Sequence, residues 1–598
     1  MIRTGVNLHP RSHYRKEKFF LKKVVWLFLS FCILVSLLSC GTAKEKEPEA
    51  ETTGDEIMEP SPITINGNPI SAYQILNESN ATDGTLLLRS AIRNFAEISL
   101  GATKSMPEDG KVIVFRVDPH QSPENCRLWV EGNTLYFSIY HSDFIGSAIA
   151  CFKTLLVGEA VTFNSDFDQT FSYEPISYKE VASGRTLQVI GDADRDALSY
   201  HAGETALIHI AAATTAGEIV SVPYFHLTIY NEATGKTSDS FVDGTKGSVS
   251  FRVSSEKAGF LYWNVKACDA DRNPISRFNS KADGGNHFVG SIGFDAGTLT
   301  AATALPDDFD SFWNGVATEV KNTELQILKI EQISGQSGYK TYYVELRCGT
   351  NAKGEPGIAA GYLTFPTGAS ATSKIGLRIA FQGHSIAIPD KNCKEKTAVF
   401  TVCAHSLELE KAATDSTYFS EMKKAIGDRF GFETSGGKEQ SYFLQMVKRD
   451  LTAAKFLIEY FGANGNNFWN GTDFEISGTS MGAFQSVAVA ALMKTATGKE
   501  ADLLNVSLPW LCDINGPSAG RKTSSYRPTY RAALAYYDTV LFARLVTCKT
   551  TIYTGLGDQV CPASGVMVLF NELTCEKELT FEQNFSHAGG VGGWKYTF

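Results

Sequence analysis

Several patterns that would point to particular classes of protein are missing from this sequence of 598 residues. Its 12 cysteines contain no C-x-x-C pair, which argues against a metal site built on cysteine ligands. Basic residues form no block outside the N-terminus and the net charge is −10, so nucleic acid is not expected as a partner. No propeller-type repeat precedes the C-terminal half, and no second long apolar run follows the one near the N-terminus.

The composition is that of a globular protein with several domains. Hydrophobic residues make up 43% of the chain, enough for several cores, and the length favours two to four domains. Cys32 and Cys40 lie in the N-terminal leader. The spacing of the remaining cysteines does not determine a disulfide pairing.

The first 60 residues predict export. Residues 1–39 join a basic stretch to a short apolar run, as in a signal peptide, and end in Leu-Leu-Ser before Cys40. This ending resembles the bacterial lipobox, in which the cysteine carries lipid. Residues 40–60 are acidic and are predicted to be a disordered tether. We expect an exported protein, lipid-anchored to the periplasmic or outer face of the bacterial outer membrane; a cleaved signal peptide with a chance cysteine is the alternative.

Two domains of different kinds are predicted next. In residues 61–175, helical spacing over 85–100 and 142–157 is mixed with strand-like runs, which indicates a small α/β accessory domain of the α+β class. It resembles the domains found ahead of the catalytic domains of glycoside hydrolases. In residues 176–296, short alternating runs recur between turn signals, a pattern typical of an immunoglobulin-like β-sandwich.

The most informative stretch is Asp473–Lys494. A strand-like run over 474–476 reaches the turn Gly478–Gly482, and small and apolar residues over 483–493 are enough for three helical turns. A serine at the apex of a strand, a glycine-flanked turn and a helix is typical of the nucleophile elbow of α/β-hydrolases. Ser480 is therefore the candidate nucleophile.

A second G-x-S-x-G copy surrounds Ser518. It follows Pro517 and leads into a polar loop with no helix, so we interpret Ser518 as a turn residue.

The partners of Ser480 follow from chain order, which in this fold is serine, then acid, then histidine. Asp558 follows the strand-like run over 551–555 in a glycine-rich loop, at the carboxyl edge where open α/β sheets meet ligands. His587 lies in a loop after the last predicted strand. The alternatives are a loop-capping aspartate and a surface histidine.

Backbone N–H groups are the expected oxyanion donors. We assign them to Met481, which follows the nucleophile, and to His384, which follows Gly383 at the end of a predicted strand. The His384 side chain either faces the pocket or belongs to a plain loop histidine. His405 lines the pocket or caps a loop, and its role is left open.

Four segments of residues 297–598 occur in the order of a known family's motifs. They are Leu305–Trp313 for P-x-D-F-D-x-F-W, Ile379–His384 for a strand ending in G-Y, Val506–Asp513 for V-P-F-L-C, and Gly555–Pro562 for G-L-x-D-x-x-C-P. This half resembles carbohydrate esterase family 7, the acetyl xylan esterase and cephalosporin deacetylase group. The resemblance implies an α/β-hydrolase domain with a doubly wound, mostly parallel sheet, and it covers none of the first 296 residues.

Two departures from that family are visible. Its R-G-Q motif is absent, residues 400–406 standing in its place, and Met481 stands where glutamine is common. Both changes bear on the substrate pocket and on the family's hexameric assembly, so the oligomeric state stays open.

These features predict a serine esterase that removes acetyl groups from acetylated xylan or a related oligosaccharide at the cell envelope. Its catalytic residues are Ser480, Asp558 and His587, and it needs neither metal nor cofactor. Membrane contact is expected only through the lipid anchor. Two alternatives stay open: a serine peptidase or amidase of the same fold, and a non-catalytic glycan-binding lipoprotein.

Overall fold

The computed structural model describes residues 62–78, 84–215, 218–278, 286–429, 437–524, 526–590 and 595–598. The predicted signal peptide, the lipidation site Cys40 and the tether lie outside these residues. All described residues belong to one compact unit, Pro60–Phe598. No helix among them is long and apolar enough to cross a membrane.

The N-terminal region joins two sheets to two helices. Six strands form a sheet in the order β4-β3-β5-β7-β6-β9, and three form a sheet in the order β2-β1-β8. Apolar side chains of the helices and the larger sheet share one core. The strands are β1 Ile63–Ile65, β2 Asn68–Pro69, β3 Gln74–Asn77, β4 Gly101–Thr103, β5 Val112–Val117, β6 Asn125–Glu131, β7 Thr134–Ile139, β8 Val161–Phe163 and β9 Asp168–Ser172, and the helices are α1 Gly84–Ala96 and α2 Ile145–Leu155.

The first helix is shorter than its predicted span of 85–100. It ends at Ala96 because Glu97 adopts a left-handed conformation with φ 58°, after which the chain turns into β4. The second predicted helix, 142–157, starts as a 3-10 turn over Ser142–Phe144 before α2.

The middle region is built from two antiparallel sheets and one short parallel pair of strands. One has the order β11-β12-β16 and another the order β15-β14-β17-β18, and β10 pairs with β13. The strands are β10 Ile176–Ser177, β11 Leu187–Ala193, β12 Thr205–Thr214, β13 Val220–Ser221, β14 Tyr224–Asn231, β15 Lys236–Asp243, β16 Ser248–Ser254, β17 Gly259–Cys268 and β18 Phe288–Phe294. Its assignment as immunoglobulin-like stays a prediction.

The C-terminal region is organised around one ten-stranded sheet. Its order is β19-β20-β21-β23-β22-β24-β25-β26-β27-β30, and the six strands from β23 to β27 are parallel. The strands are β19 Ile327–Ile333, β20 Tyr339–Thr350, β21 Pro356–Pro366, β22 Ile375–Phe381, β23 Thr397–Val402, β24 Trp469–Thr479, β25 Leu503–Ser507, β26 Lys549–Gly555, β27 Lys577–Glu582 and β30 Lys595–Thr597, with a small hairpin of β28 Phe585–Ser586 and β29 Gly589–Gly590.

Seven helices are described in this region: α3 Phe309–Asn322, α4 Leu409–Thr414, α5 Ser416–Arg429, α6 Tyr442–Phe461, α7 Met481–Thr497, α8 Thr539–Ala543 and α9 Ala563–Glu572. Most of α7 is buried, because small and apolar residues occupy all of its sides and it packs between α6, α3 and the sheet. A continuous hydrophobic core runs through the middle and C-terminal regions. The predicted domain limits at 175 and 296 stay predictions.

The ten cysteines of the described residues all carry free thiols.

Candidate active site

Ser480 lies at the sharp turn between β24 and α7. Its backbone has φ 59° and ψ −120°, a conformation that a residue with a side chain rarely adopts. The flanking glycines permit the turn. A Cβ at Gly478 would lie 2.2 Å from the carbonyl oxygen of Gly482, and one at Gly482 would lie 2.3 Å from that of Phe381. The turn holds the Ser480 side chain above the carboxyl ends of the parallel strands.

The structure brings the three predicted side chains together. His587 Nε2 lies 2.9 Å from Ser480 Oγ, and His587 Nδ1 lies 2.9 Å from Asp558 Oδ2. His587 lies 107 positions after Ser480 and 29 positions after Asp558 in the sequence. The result is a continuous hydrogen-bond chain from a buried carboxylate through an imidazole to a hydroxyl.

The carboxylate of Asp558 is fully buried and its second oxygen is also held. Oδ1 accepts hydrogen bonds from the backbone N–H groups of Val560 at 2.7 Å and Cys561 at 2.8 Å. These bonds fix the side chain so that Oδ2 faces the imidazole. The loop that carries Asp558 follows β26, the position predicted for it.

The His587 loop is held partly by the middle region. Val289 N–H donates to Asn584 Oδ1 at 3.4 Å, and Gln583 both accepts from Ser291 N–H at 3.2 Å and donates to its carbonyl at 2.8 Å. Strand β18 therefore lies directly against the chain that leads to the histidine.

The two predicted oxyanion donors lie beside the serine. Met481 is buried and is the first residue of α7, so its N–H has no acceptor within the helix. His384 follows β22 and lines both cavities next to Ser480. The positive end of the α7 dipole also points at this corner, where it favours negative charge.

A polar cavity of about 570 Å³ borders Ser480. Its lining includes Arg378, Asp390, Asn392 and Asn505 together with the serine and His587. Such a lining offers both hydrogen-bond donors and acceptors to a polar ligand.

An apolar cavity of about 350 Å³ also borders Ser480. Trp510, Tyr526, Val560 and Ala588 line it beside Ser480 and His587. The His384 ring stands edge-on to the rings of Trp510 and Tyr526, each at 6.4 Å between centroids.

The His384 side chain therefore faces the site and does not merely occupy a loop. Burial, aided by the nearby His587, lowers the pKa of the His384 imidazole, so its neutral form is favoured. Trp510 and Tyr526 were not among the predicted site residues. Trp510 sits in a recognised motif, but Tyr526 lies in a polar loop that carries no pattern of its own.

The two remaining candidates lie elsewhere. His405 is fully buried, its Nδ1 lies 2.9 Å from the Tyr442 hydroxyl, and burial next to Arg449 lowers its pKa to about 3. Ser518 sits on an exposed 3-10 turn, and its hydroxyl donates to the Asn515 carbonyl at 2.8 Å. Its interpretation as a turn serine agrees with this position.

One group among the described residues has the spacing of metal ligands. The ligand atoms of Asp558, Cys561 and His587 lie within 4.8 Å of one another. Two of these side chains already bond to each other, and burial beside Asp558 raises the pKa of the Cys561 thiol, which disfavours the thiolate that a metal requires. The residues therefore fit a proton relay better than a metal site.

Comparison with known proteins points to one family for the C-terminal half. Residues 297–595 match the family described as acetyl xylan esterase (AXE1). Acetyl esterase Axe7A of Xylanibacter ruminicola is 26% identical over 306 residues. The match covers 48% of this chain and 64% of that relative, so this chain spans less than two thirds of the relative's length.

Two solved structures are similar to part of this chain. The acetyl xylan esterase from Paenibacillus sp. R4 is 16% identical with a TM-score of 0.37, covering 49% of this chain and 94% of its own. Acetyl xylan esterase 1 from Thermoanaerobacterium sp. JW/SL YS485 is 18% identical with a TM-score of 0.38, covering 50% and 94%.

Proposed function

The chain belongs to the acetyl xylan esterase family, and from this premise we propose that it is a carboxylic ester hydrolase acting through Ser480. The observation that supports the proposal most is the unbroken hydrogen-bond chain from Asp558 through His587 to Ser480. Its substrate is acetylated xylan or a related acetylated oligosaccharide.

In the first step, His587 Nε2 takes the proton of Ser480 Oγ as the oxygen attacks the acetyl carbonyl carbon. The C–O bond to the sugar then breaks, His587 returns the proton to the departing sugar oxygen, and an acetyl-serine ester remains. Asp558 keeps the Nδ1 proton of the imidazole in place and stabilises the imidazolium that forms.

In the second step, a water molecule gives a proton to His587 Nε2 and attacks the acetyl-serine carbonyl. The bond to Ser480 Oγ breaks, the serine regains its proton, and acetate leaves. During both steps the N–H groups of Met481 and His384 donate to the carbonyl oxygen as it gains negative charge. Because the donors are backbone N–H groups, Met481 can still stabilise the oxyanion although the family commonly has glutamine at this position.

We further propose that the protein works at the cell envelope, with lipid on Cys40 holding it to the outer membrane. The lipobox-like ending of the leader supports this placement. Radioactive palmitate fed to cells expressing the full chain is expected to label it, and labelling should vanish in Cys40→Ser. Equal labelling of the two chains would contradict the anchor.

Acetate release from acetylated xylan is the experiment that tests the activity. We expect release by the intact protein and, in parallel, no cleavage of peptide or amide substrates. Binding to deacetylated xylan without any acetate release would instead identify a glycan-binding protein, and cleavage of amides in preference to acetyl esters would identify a peptidase or amidase.

A further inference from the structure

A further cleft lies next to the apolar cavity of the active site, between the middle region and the C-terminal region. We call it the side cleft; its volume is about 330 Å³ and its lining includes Thr228, Tyr230, Asn264, Lys266, Lys522 and Gln559. The lining residues that the middle region contributes all lie before residue 297, where the family match begins.

One wall of the side cleft is a face of the sheet β15-β14-β17-β18. Tyr230 lies opposite Thr237 on one side and Tyr262 on the other, and Tyr262 lies opposite Ser291. These four residues form one row across four strands, because directly paired residues point to the same face. The next row contains Thr228, Asn264 and Val289.

The inner end of the first row is docked on the active-site loops. Ser291 Oγ donates to the Leu556 carbonyl at 2.6 Å, two residues before Asp558, and the Tyr262 hydroxyl donates to Ser564 Oγ at 3.2 Å. The outer ends, at Thr228 and Thr237, line the side cleft. The same face that supports the catalytic loop thus extends away from it as an open polar surface.

The opposite wall belongs to the C-terminal region and connects the two spaces. Gln559, the residue after Asp558, is exposed and lines both the side cleft and the apolar cavity beside Ser480. Lys522 places its ammonium group 4.4 Å from the centre of the Tyr262 ring. A chain-like ligand with its acetyl group at Ser480 can therefore pass over Gln559 into the side cleft.

The lining has the chemistry that a sugar chain requires. It offers hydroxyls, amides and the amino groups of Lys266 and Lys522. Asn264 Nδ2 lies 3.2 Å from His287 Nδ1, whereas its buried Oδ1 has no hydrogen-bond partner among the described residues. Sugar hydroxyls both donate and accept, and sugar C–H faces pack on aromatic rings such as Tyr230.

We propose that the side cleft is a binding subsite for the sugar units next to the acetylated one, so that the middle region contributes directly to substrate binding. The proposal rests on the proposed esterase function. It predicts that acetylated oligosaccharides are better substrates than small acetyl esters, because only they can reach the side cleft.

The first test compares two substrates in one double variant, Asn264→Ala with Lys266→Ala. We expect KM for acetylated xylo-oligosaccharides to rise about tenfold, as for the loss of one or two hydrogen bonds. Activity on p-nitrophenyl acetate, which cannot reach the side cleft, should stay within about twofold. Lys236→Ala with Ser238→Ala, on the opposite face of β15, is the matched control and should change neither value.

An unchanged KM for the oligosaccharides would overturn the subsite, and so would an equal loss on both substrates.

The second test separates the subsite from the esterase activity. In the Ser480→Ala background, calorimetric titration with unsubstituted xylohexaose should show binding that the Asn264→Ala and Lys266→Ala changes weaken about tenfold. Absence of binding, or binding that these changes leave intact, would refute the subsite. If the intact protein releases no acetate from any oligosaccharide, the proposed function fails, and the titration still decides whether the side cleft holds sugar.

Discussion

Ser291 in the middle region donates a hydrogen bond from Oγ to the carbonyl oxygen of Leu556, 265 residues later and two residues before the acid of the candidate triad. Ser291 is fully buried, and its backbone bonds to Gln583 in the segment leading to His587. At Gly557 a Cβ would lie 2.6 Å from the Val289 carbonyl oxygen, so β18 and the acid loop touch without room for a side chain. The middle region thus positions both partners of Ser480.

Replacing Ser291 by alanine should lower both the free energy of unfolding and kcat. The loss of kcat should be present even where the variant is fully folded. The change leaves a buried carbonyl without its donor, which costs about 1–3 kcal/mol, and lets the acid loop shift. Since a displacement of about 1 Å can cost up to a hundredfold in rate, we expect kcat on p-nitrophenyl acetate to fall at least several-fold at 20 °C.

Ser250→Ala serves as the control for Ser291→Ala. It removes a hydrogen bond to His209 in the other sheet and should leave kcat unchanged. Equal kcat in the two variants, with both shown to be folded by thermal melting, would contradict a positioning role for Ser291.

Asp558→Asn should abolish most activity while preserving the fold. The N–H groups of Val560 and Cys561 require an acceptor, so the amide oxygen takes the place of Oδ1 and the amide NH₂ faces His587 Nδ1. The imidazole proton is then on Nε2, facing Ser480, where it cannot act as a base. We expect kcat to fall about 10³- to 10⁴-fold.

The matched control for Asp558→Asn is Asp502→Asn. Asp502 accepts from Phe474 N–H on β24, away from the triad, and this variant should keep normal activity. Activity of Asp558→Asn within tenfold of the unmodified protein would show that the carboxylate does not orient the base.

Gly482→Ala tests the turn that presents the serine. Its Cβ would lie 2.3 Å from the Phe381 carbonyl oxygen, a backbone atom that cannot move without displacing β22. We expect a loss of roughly 2 kcal/mol or more in the free energy of unfolding, measured in urea, and a large loss of kcat.

Gly315→Ala provides the comparison, because Gly315 lies in α3 with nothing within 4 Å of its added Cβ, and alanine there should stabilise by up to about 1 kcal/mol. A Gly482→Ala protein as stable and active as Gly315→Ala would disprove the packing argument.

The buried carboxyl of Asp192 should make stability depend on pH. It lies on β11, accepts from Ala193 N–H at 2.7 Å and from the Tyr596 hydroxyl on β30, and burial raises its pKa to about 8. Because its folded pKa is raised, the folded state holds the proton more tightly, and the stability this provides is lost as pH rises from about 4 towards 8.

Asp192→Asn removes that dependence. Between pH 5 and pH 8 the unmodified protein should lose roughly 3 kcal/mol of unfolding free energy relative to the variant, as measured by urea denaturation. Parallel pH profiles for the two proteins would contradict the raised pKa.

Local patterns were the part of the site that sequence could predict. The strand, glycine-flanked serine and helix around Ser480 form one contiguous unit, and chain order supplied Asp558 and His587. The G-x-S-x-G spacing predicted that Gly478 and Gly482 flank a tight turn. In the structure a Cβ at either position would collide with backbone atoms.

Long-range packing was the part that could not be predicted. The sequence of strand β15, Lys236–Asp243, does not predict a strand, because it is largely polar and has no alternating apolar residues. The contact between Ser291 and Leu556 joins segments with no shared pattern, and Tyr526 reaches the active site from a loop whose sequence shows only polarity. Such contacts depend on how separate elements dock, which periodicity does not encode.

The most direct test of the account compares two serines in the same motif. Ser480→Ala and Ser518→Ala each remove one hydroxyl from a G-x-S-x-G sequence, but only Ser480 bonds to His587. We predict that acetate release from acetylated xylan falls by at least about 10⁴-fold in Ser480→Ala and is unchanged in Ser518→Ala. Undiminished release by a folded Ser480→Ala protein would contradict the account.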